Sequence, residues 1–345
     1  MRFGHFDDAR REYVITTPQT PLPWINYLGS EDFFSLVSNT AGGYSFYRDA
    51  RLRRLTRYRY NSSPLDMDGH HIYIKDGGTV WNPGWQPTKT PLDRYSCRHG
   101  LGYTILEGEK DGICAAQELF VPKGDACELD RLTLTNRSDR PRELDVFGYV
   151  EFCLWDAVDD STNFQRNFST GEVEVEPCAI YHKTEYRERR DHYAVFWSNT
   201  PVTSFDTARD AFCGVYGGPA DPQAVRAGHC GGSIAHGWAP VGALHIHVTL
   251  APGEEKKILF GLGYIENPQE EKFTAPGVIN KTRAHAMMAR YADDAQVDAA
   301  RAALADYWES LLSGYRLQSG EEKLDRMVNL WHQYQCMVTF NMSRS

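Results

Sequence analysis

The chain has 345 residues, a formal net charge of −9, 41% hydrophobic and 12% aromatic side chains. That is about two domains' worth of polypeptide, or one large β domain with an appendix, with ample apolar material for a core. The acidic balance argues against a nucleic-acid backbone or an anionic membrane as partner and leaves a neutral or small ligand.

The N-terminal segment MRFGHFDDARREYVITTP lacks the apolar heart of a secretory signal, and no run of 18 or more apolar residues occurs, so a soluble, cytoplasmic chain is expected. The eight cysteines, among them Cys97, Cys153 and Cys336, show no CxxC or similar ligand spacing and read as free thiols. Histidine makes no stronger metal case: His70 and His71 adjoin a Gly/Asp-rich turn, and His245 and His247 share one strand face without a third ligand nearby. No metal is expected.

From Met1 to about Tyr60, extended runs such as YVITT, FFSLVS and GGYSFYRD are broken by PQTPLPW and Gly42-Gly43, a β pattern. Six arginines fall between Arg48 and Arg59, interleaved with Leu52, Leu55, Tyr58 and Tyr60; Asp49, Asp66 and Asp68 are close enough in sequence to neutralise some of them, so a paired structural face is expected over an anion site. Turn formers around Trp81 and Trp85 suggest an irregular aromatic surface, where a tryptophan either stacks on a sugar or, more commonly, packs inside.

LDRLTLTN, a turn at RSDRPR and ELDVFGYVEFCLW read as a long antiparallel hairpin, with Leu144, Val146, Gly148, Val150 and Phe152 alternating along it. ALHIHVTL, APGEE and KKILFGLGYI read as a second hairpin. Long strands without helical crossovers predict a large antiparallel sandwich. Between these hairpins, Glu151 to Asn199 places polar residues between strand-like runs, and its middle, Asp159 to Thr170, reads as a presented loop with Gln165 and Arg166 at its tip. An amide and a guanidinium suit vicinal hydroxyls or phosphate oxygens; a solvated hairpin tip is the plainer reading.

After Asn267-Pro268 the period becomes helical. Val297, Ala300, Leu304, Tyr307, Trp308 and Leu311 recur behind a start at Asp293-Asp294, and Gly314 stops the helix. A second helix carries Leu324, Met327, Val328, Trp331, Tyr334, Gln335 and Val338 on one face. The remaining chain is too short to cover both faces of this pair, so a further partner for them is expected.

Four stretches, GHFDDARREYVITTPQTPLPWINYLGSEDFFSLVSNTAGGYSFYRDARLRRLTRYRYN, VEFCLWDAVDDSTNFQRNFSTGEVEVE, IYHKTEYRERRDHYAVF and EKLDRMVNLWHQYQCMVTFNMSRS, closely resemble the N-terminal part of the cellobiose phosphorylases of glycoside hydrolase family 94. The resemblance runs the length of the chain. It implies a mainly β fold, a large antiparallel β-sandwich (supersandwich) over residues 1–268, a helical linker over 269–320 and the first helix of an (α/α)6 catalytic barrel over 321–345. It further implies phosphorolysis of cellobiose or a related β-linked glucose disaccharide to α-D-glucose 1-phosphate and glucose by a homodimer, without cofactor. The general acid and phosphate ligands would lie beyond Ser345, and Gln165 and Arg166 would serve the acceptor-side glucose. The alternative is a stand-alone carbohydrate-binding or oligomerisation module.

Overall fold

The computed structural model describes residues 2–29, 31–58, 65–162, 171–184, 191–237 and 239–342. Two antiparallel sheets face one another. The first has eleven strands, running in space from Gly4–Asp7 through Arg94–His99, Ile113–Phe120, Cys127–Asn136, Glu255–Glu266 and His192–Ser198 to Gly171–Glu176 and His236–Gly237. The second has nine, centred on Arg142–Trp155, which pairs with Pro240–Leu250 on one side and with His70–Asp76 and then Arg54–Thr56 on the other. The fold is thus mainly β, as the alternation of apolar residues requires.

The two expected hairpins do not form. Cys127–Asn136 pairs with Glu255–Glu266, and Arg142–Trp155 with Pro240–Leu250, so each supposed turn is instead a crossover from one sheet to the other. The physical reason is that these strands are apolar on both faces. Leu144, Val146, Val150 and Phe152 point into the sandwich against Ile258, Phe260 and Leu262, while Phe147 and Tyr149 pack outward against Phe212 and Val225. A strand buried on both sides must sit inside a layered stack, and successive strands placed in opposite sheets achieve that. Asn136 closes both corners at once: its Nδ2 donates to the carbonyls of Arg140, Leu250 and Ala251 at 2.8, 3.1 and 3.2 Å. Gly148 leaves room for the facing ring, since a Cβ there would lie 2.6 Å from Phe260.

The outer face of the eleven-stranded sheet carries the C-terminal helices. Asp294–Leu312 begins at the Asp293 cap, with a capping box closed by Gln296, and buries Val297, Leu304, Trp308 and Leu312 against Phe120, Leu129, Tyr193 and Trp197. Leu312 rather than Leu311 faces the sheet; Leu311 is 46% exposed. The second helix is Glu322–Arg326, a π turn over Met327–Trp331 and His332–Met342. It docks through Leu330 and Tyr334, whose hydroxyl donates to the Tyr27 carbonyl at 2.7 Å. Leu324 and Phe340 are exposed.

Trp81 is fully buried in the core, and Trp85 is half-buried beneath Lys89. The eight cysteines are free thiols. Among the described residues no helix is long and apolar enough to cross a membrane.

Candidate functional site

At the end of the second sheet where Arg54–Thr56 meets Arg142–Trp155, the long strand's outward row, Phe147, Tyr149 and Glu151, runs out from under its helical cover. Phe212 stacks on Tyr149 with ring centroids 4.6 Å apart, and Glu151 lies one step beyond it. A carboxylate in so apolar a strand has to be paired, and it is paired twice. Glu151 Oε1 accepts from Arg209 Nε and from the Tyr149 hydroxyl, both at 2.8 Å; Oε2 faces Arg57 Nη1 at 3.5 Å.

Arg57 in turn holds the short helix Ala157–Ser161. Its Nε and Nη2 grip the two Asp160 oxygens at 2.7 and 2.8 Å, while Asp156 caps the helix by accepting from the Val158 and Asp159 amides. Side-chain exposure is 6% for Arg57, 4% for Asp160 and 8% for Glu151, so this is a buried, charge-compensated chain of ions. Burial works to raise the Glu151 carboxyl. Arg57, then Arg209 and the Tyr149 hydroxyl, outweigh it and hold Glu151 below its ordinary range.

This chain of ions forms one wall of an open cavity of ≈ 680 Å³. Arg57, Glu151 and Arg209 line it, with Asp68 and Asp210, and Val215, Ile234, His236 and Gly237 complete it. The short strand His236–Gly237 also lines it and pairs with Gly171–Glu176, Gly171 opposite Gly237 and Glu172 opposite His236. Gly171 is needed there: a Cβ would meet the Pro240 ring at 2.7 Å and the Gly237 carbonyl at 2.9 Å.

Gln165 and Arg166 lie outside the described residues, as do Arg59 and the segment 185–190. What is described is their frame: Asp160 is fixed to Arg57 on one side, and Gly171 is paired to the cavity wall on the other. Among the described residues the arginine run is paired, as its interleaving suggests, but mostly with carboxylates distant in sequence. Arg48 meets Asp32, Arg51 meets Asp156, Arg53 meets Glu266, and Arg54 lies over the Tyr44 ring. Asp66 instead accepts from Thr40 and Tyr58. Sequence reasoning passed over Glu151 and Arg209. A charged residue at an outward step of YVEFCLW was the available signal for Glu151; Arg209, 58 positions further along the chain and in no motif, carried none.

His245 and His247 both hydrogen-bond Asp145 Oδ1 at 3.0 Å, and Ser204 sits 2.9 Å from His245 Nδ1. Among the described residues no group of three His, Cys, Asp or Glu side chains is arranged to hold a metal.

The model of the glycosyl hydrolase 94 supersandwich domain matches residues 11–294, and that of the glycosyl hydrolase 94 superfamily catalytic domain matches residues 307–345. An N,N'-diacetylchitobiose phosphorylase of Vibrio furnissii is 36% identical across 100% of this chain and 42% of its own length. A solabiose phosphorylase of Paenibacillus borealis is 36% identical across 73% of this chain and 33% of its own. Among solved structures, one provisionally assigned as a kojibiose phosphorylase from the human microbiome superposes with a TM-score of 0.55 at 10% identity, covering 97% of this chain and 42% of that one, a likeness of fold. The chain therefore spans less than half the length of the relatives it matches.

Proposed function

This chain belongs to the glycosyl hydrolase 94 family, and we propose that it is the N-terminal part of an inverting phosphorylase of β-linked disaccharides, shaping the acceptor side of the active site. Phosphate attacks the anomeric carbon, the glycosidic C–O bond breaks, and a protein acid protonates the departing oxygen, giving an α-sugar 1-phosphate and a free sugar. One acid suffices, because phosphate arrives already nucleophilic and no base is needed to activate water. That acid and the phosphate ligands belong to the part of the full-length protein beyond Ser345. Gln165 and Arg166 are assigned to the acceptor sugar, in a cytoplasmic homodimer that needs no cofactor. Residues 1–268 form the sandwich unit, 269–320 the linker and 321–345 the first barrel helix.

The observation that carries this reading is the end-to-end likeness to a disaccharide phosphorylase at 36% identity. Sequence resemblance points to cellobiose; the relatives at that identity favour N,N'-diacetylchitobiose as a second substrate reading. The test is to incubate the full-length protein with phosphate and either disaccharide and to follow the products by NMR. Cellobiose yields α-glucose 1-phosphate, and diacetylchitobiose yields α-N-acetylglucosamine 1-phosphate. Phosphate-independent release of two free sugars would overturn the phosphorylase reading.

A further inference from the structure

We propose that the ≈ 680 Å³ cavity beside Glu151 is a site for a neutral pyranose, with Arg209 as the residue that reads its hydroxyls. Three observations carry this. The volume lies within the usual span of small-ligand sites, and the walls combine charged groups with the apolar side chains of Val215 and Ile234. A sugar offers the matching surface, hydroxyls around its rim and C–H groups on its faces.

Among the described residues the lining carries both signs, Arg57 and Arg209 beside Asp68, Glu151 and Asp210. A polyol both donates and accepts, and meets carboxylate and guanidinium equally well. Arg57 has its fork committed to Asp160 and Glu151. Arg209 has not. Only its Nε is tied, to Glu151, and its side chain remains 31% exposed, so among the described residues its Nη groups are the donors presented to the cavity. Because Nε is fixed on a buried carboxylate, the plane of the guanidinium is set before the ligand arrives, which lowers the ordering cost of binding. The exposed side chains of Val215 and Ile234, 76% and 43% accessible, stand at the cavity as the apolar counterpart.

The inference rests on the phosphorylase reading only in choosing which sugars to offer. The full-length protein is titrated with D-glucose, N-acetyl-D-glucosamine and inorganic phosphate, and crystals are soaked with the tighter sugar. Sugar seated against Arg209, at least ten-fold weaker sugar binding in Arg209→Met with phosphate binding unchanged, and a similar loss in Val215→Trp, which fills the mouth from an exposed position without touching the core, are the results expected. An empty cavity after soaking, phosphate in place of sugar, or solution affinities that neither variant changes, which would mean binding at crystal concentration only, overturns it. Disaccharide phosphorolysis is assayed on the same samples. Turnover with an empty cavity sinks this inference alone, and a seated sugar without turnover sinks the phosphorylase reading alone.

Discussion

Replacing Arg57 by leucine removes the central cation of a buried chain and leaves two carboxylates facing each other across its place. Asp160 loses both of its guanidinium hydrogen bonds and Glu151 keeps only Arg209 and Tyr149. Breaking a buried ion pair from one side costs about 3–5 kcal/mol, because the surviving charge stays desolvated. The cost also depends on pH. Glu151 has a folded pKa below its unfolded one, so its stabilising contribution is present above the unfolded value and fades as pH falls through the folded one. In Arg57→Leu that depression is relieved and Glu151 takes a proton sooner, so the stability gap to the parent narrows on acidification. Urea unfolding of parent, Arg57→Leu, Asp160→Asn and the double variant at pH 7.5 and 4.5 measures this. The double variant should recover about 1–3 kcal/mol relative to additivity. A single-variant deficit under about 1 kcal/mol, or one equal at both pH values, would refute the claim that this chain of ions is buried and mutually dependent.

Burial lowers His71, His99 and His182 from 6.5 to about 4, so the folded state refuses protons that the unfolded chain accepts; stability is full above pH 6.5 and drops between 6.5 and 4, by up to about 4 kcal/mol per pH unit, and calorimetry near pH 5 should register close to three extra protons taken up on unfolding. Asn136→Ala leaves three carbonyls at the sheet crossovers without their donor and should cost about 1–3 kcal/mol in thermal or urea unfolding. In the full-length protein Arg166→Ala should lower kcat/KM for the disaccharide about ten- to a hundred-fold through loss of one charge-assisted hydrogen bond, with the KM for phosphate unchanged in steady-state assays. The 345-residue chain by itself should release no sugar 1-phosphate from either disaccharide, measured by coupled assay against the full-length protein.

The strands, their alternation and the capped helix from Asp294 were legible in the sequence because each rests on residues near one another in the chain: a two-residue period, or Asp293 answering Gln296 across one turn. The pairing was not. RSDRPR and APGEE have the composition of tight hairpin turns, and nothing local distinguishes a turn that pairs its flanking strands from one that carries the chain across a sandwich. That choice is made by the outward row Phe147 and Tyr149, which needs Phe212 and Val225 to cover it, and those residues come from helices more than sixty positions away. The site was hidden for the same reason. Glu151, Arg57 and Arg209 touch only once three separate elements have been laid side by side.

The electrostatics of that cavity bear on the proposed phosphorolysis. A general acid for a glycosidic oxygen has to keep its proton near neutral pH, which requires a raised carboxyl pKa. Glu151 is pulled the other way by two guanidinium groups, so it serves as an anchor and an acceptor. Among the described residues the carboxyls that burial does raise, Asp66 and Asp130, are tied up inside the fold, the first by Ser38, Thr40 and Tyr58 and the second by Gln117. On the phosphorylase reading proposed above, what these residues would contribute is position: a fixed wall against which a sugar can be oriented while the chemistry proceeds beside it.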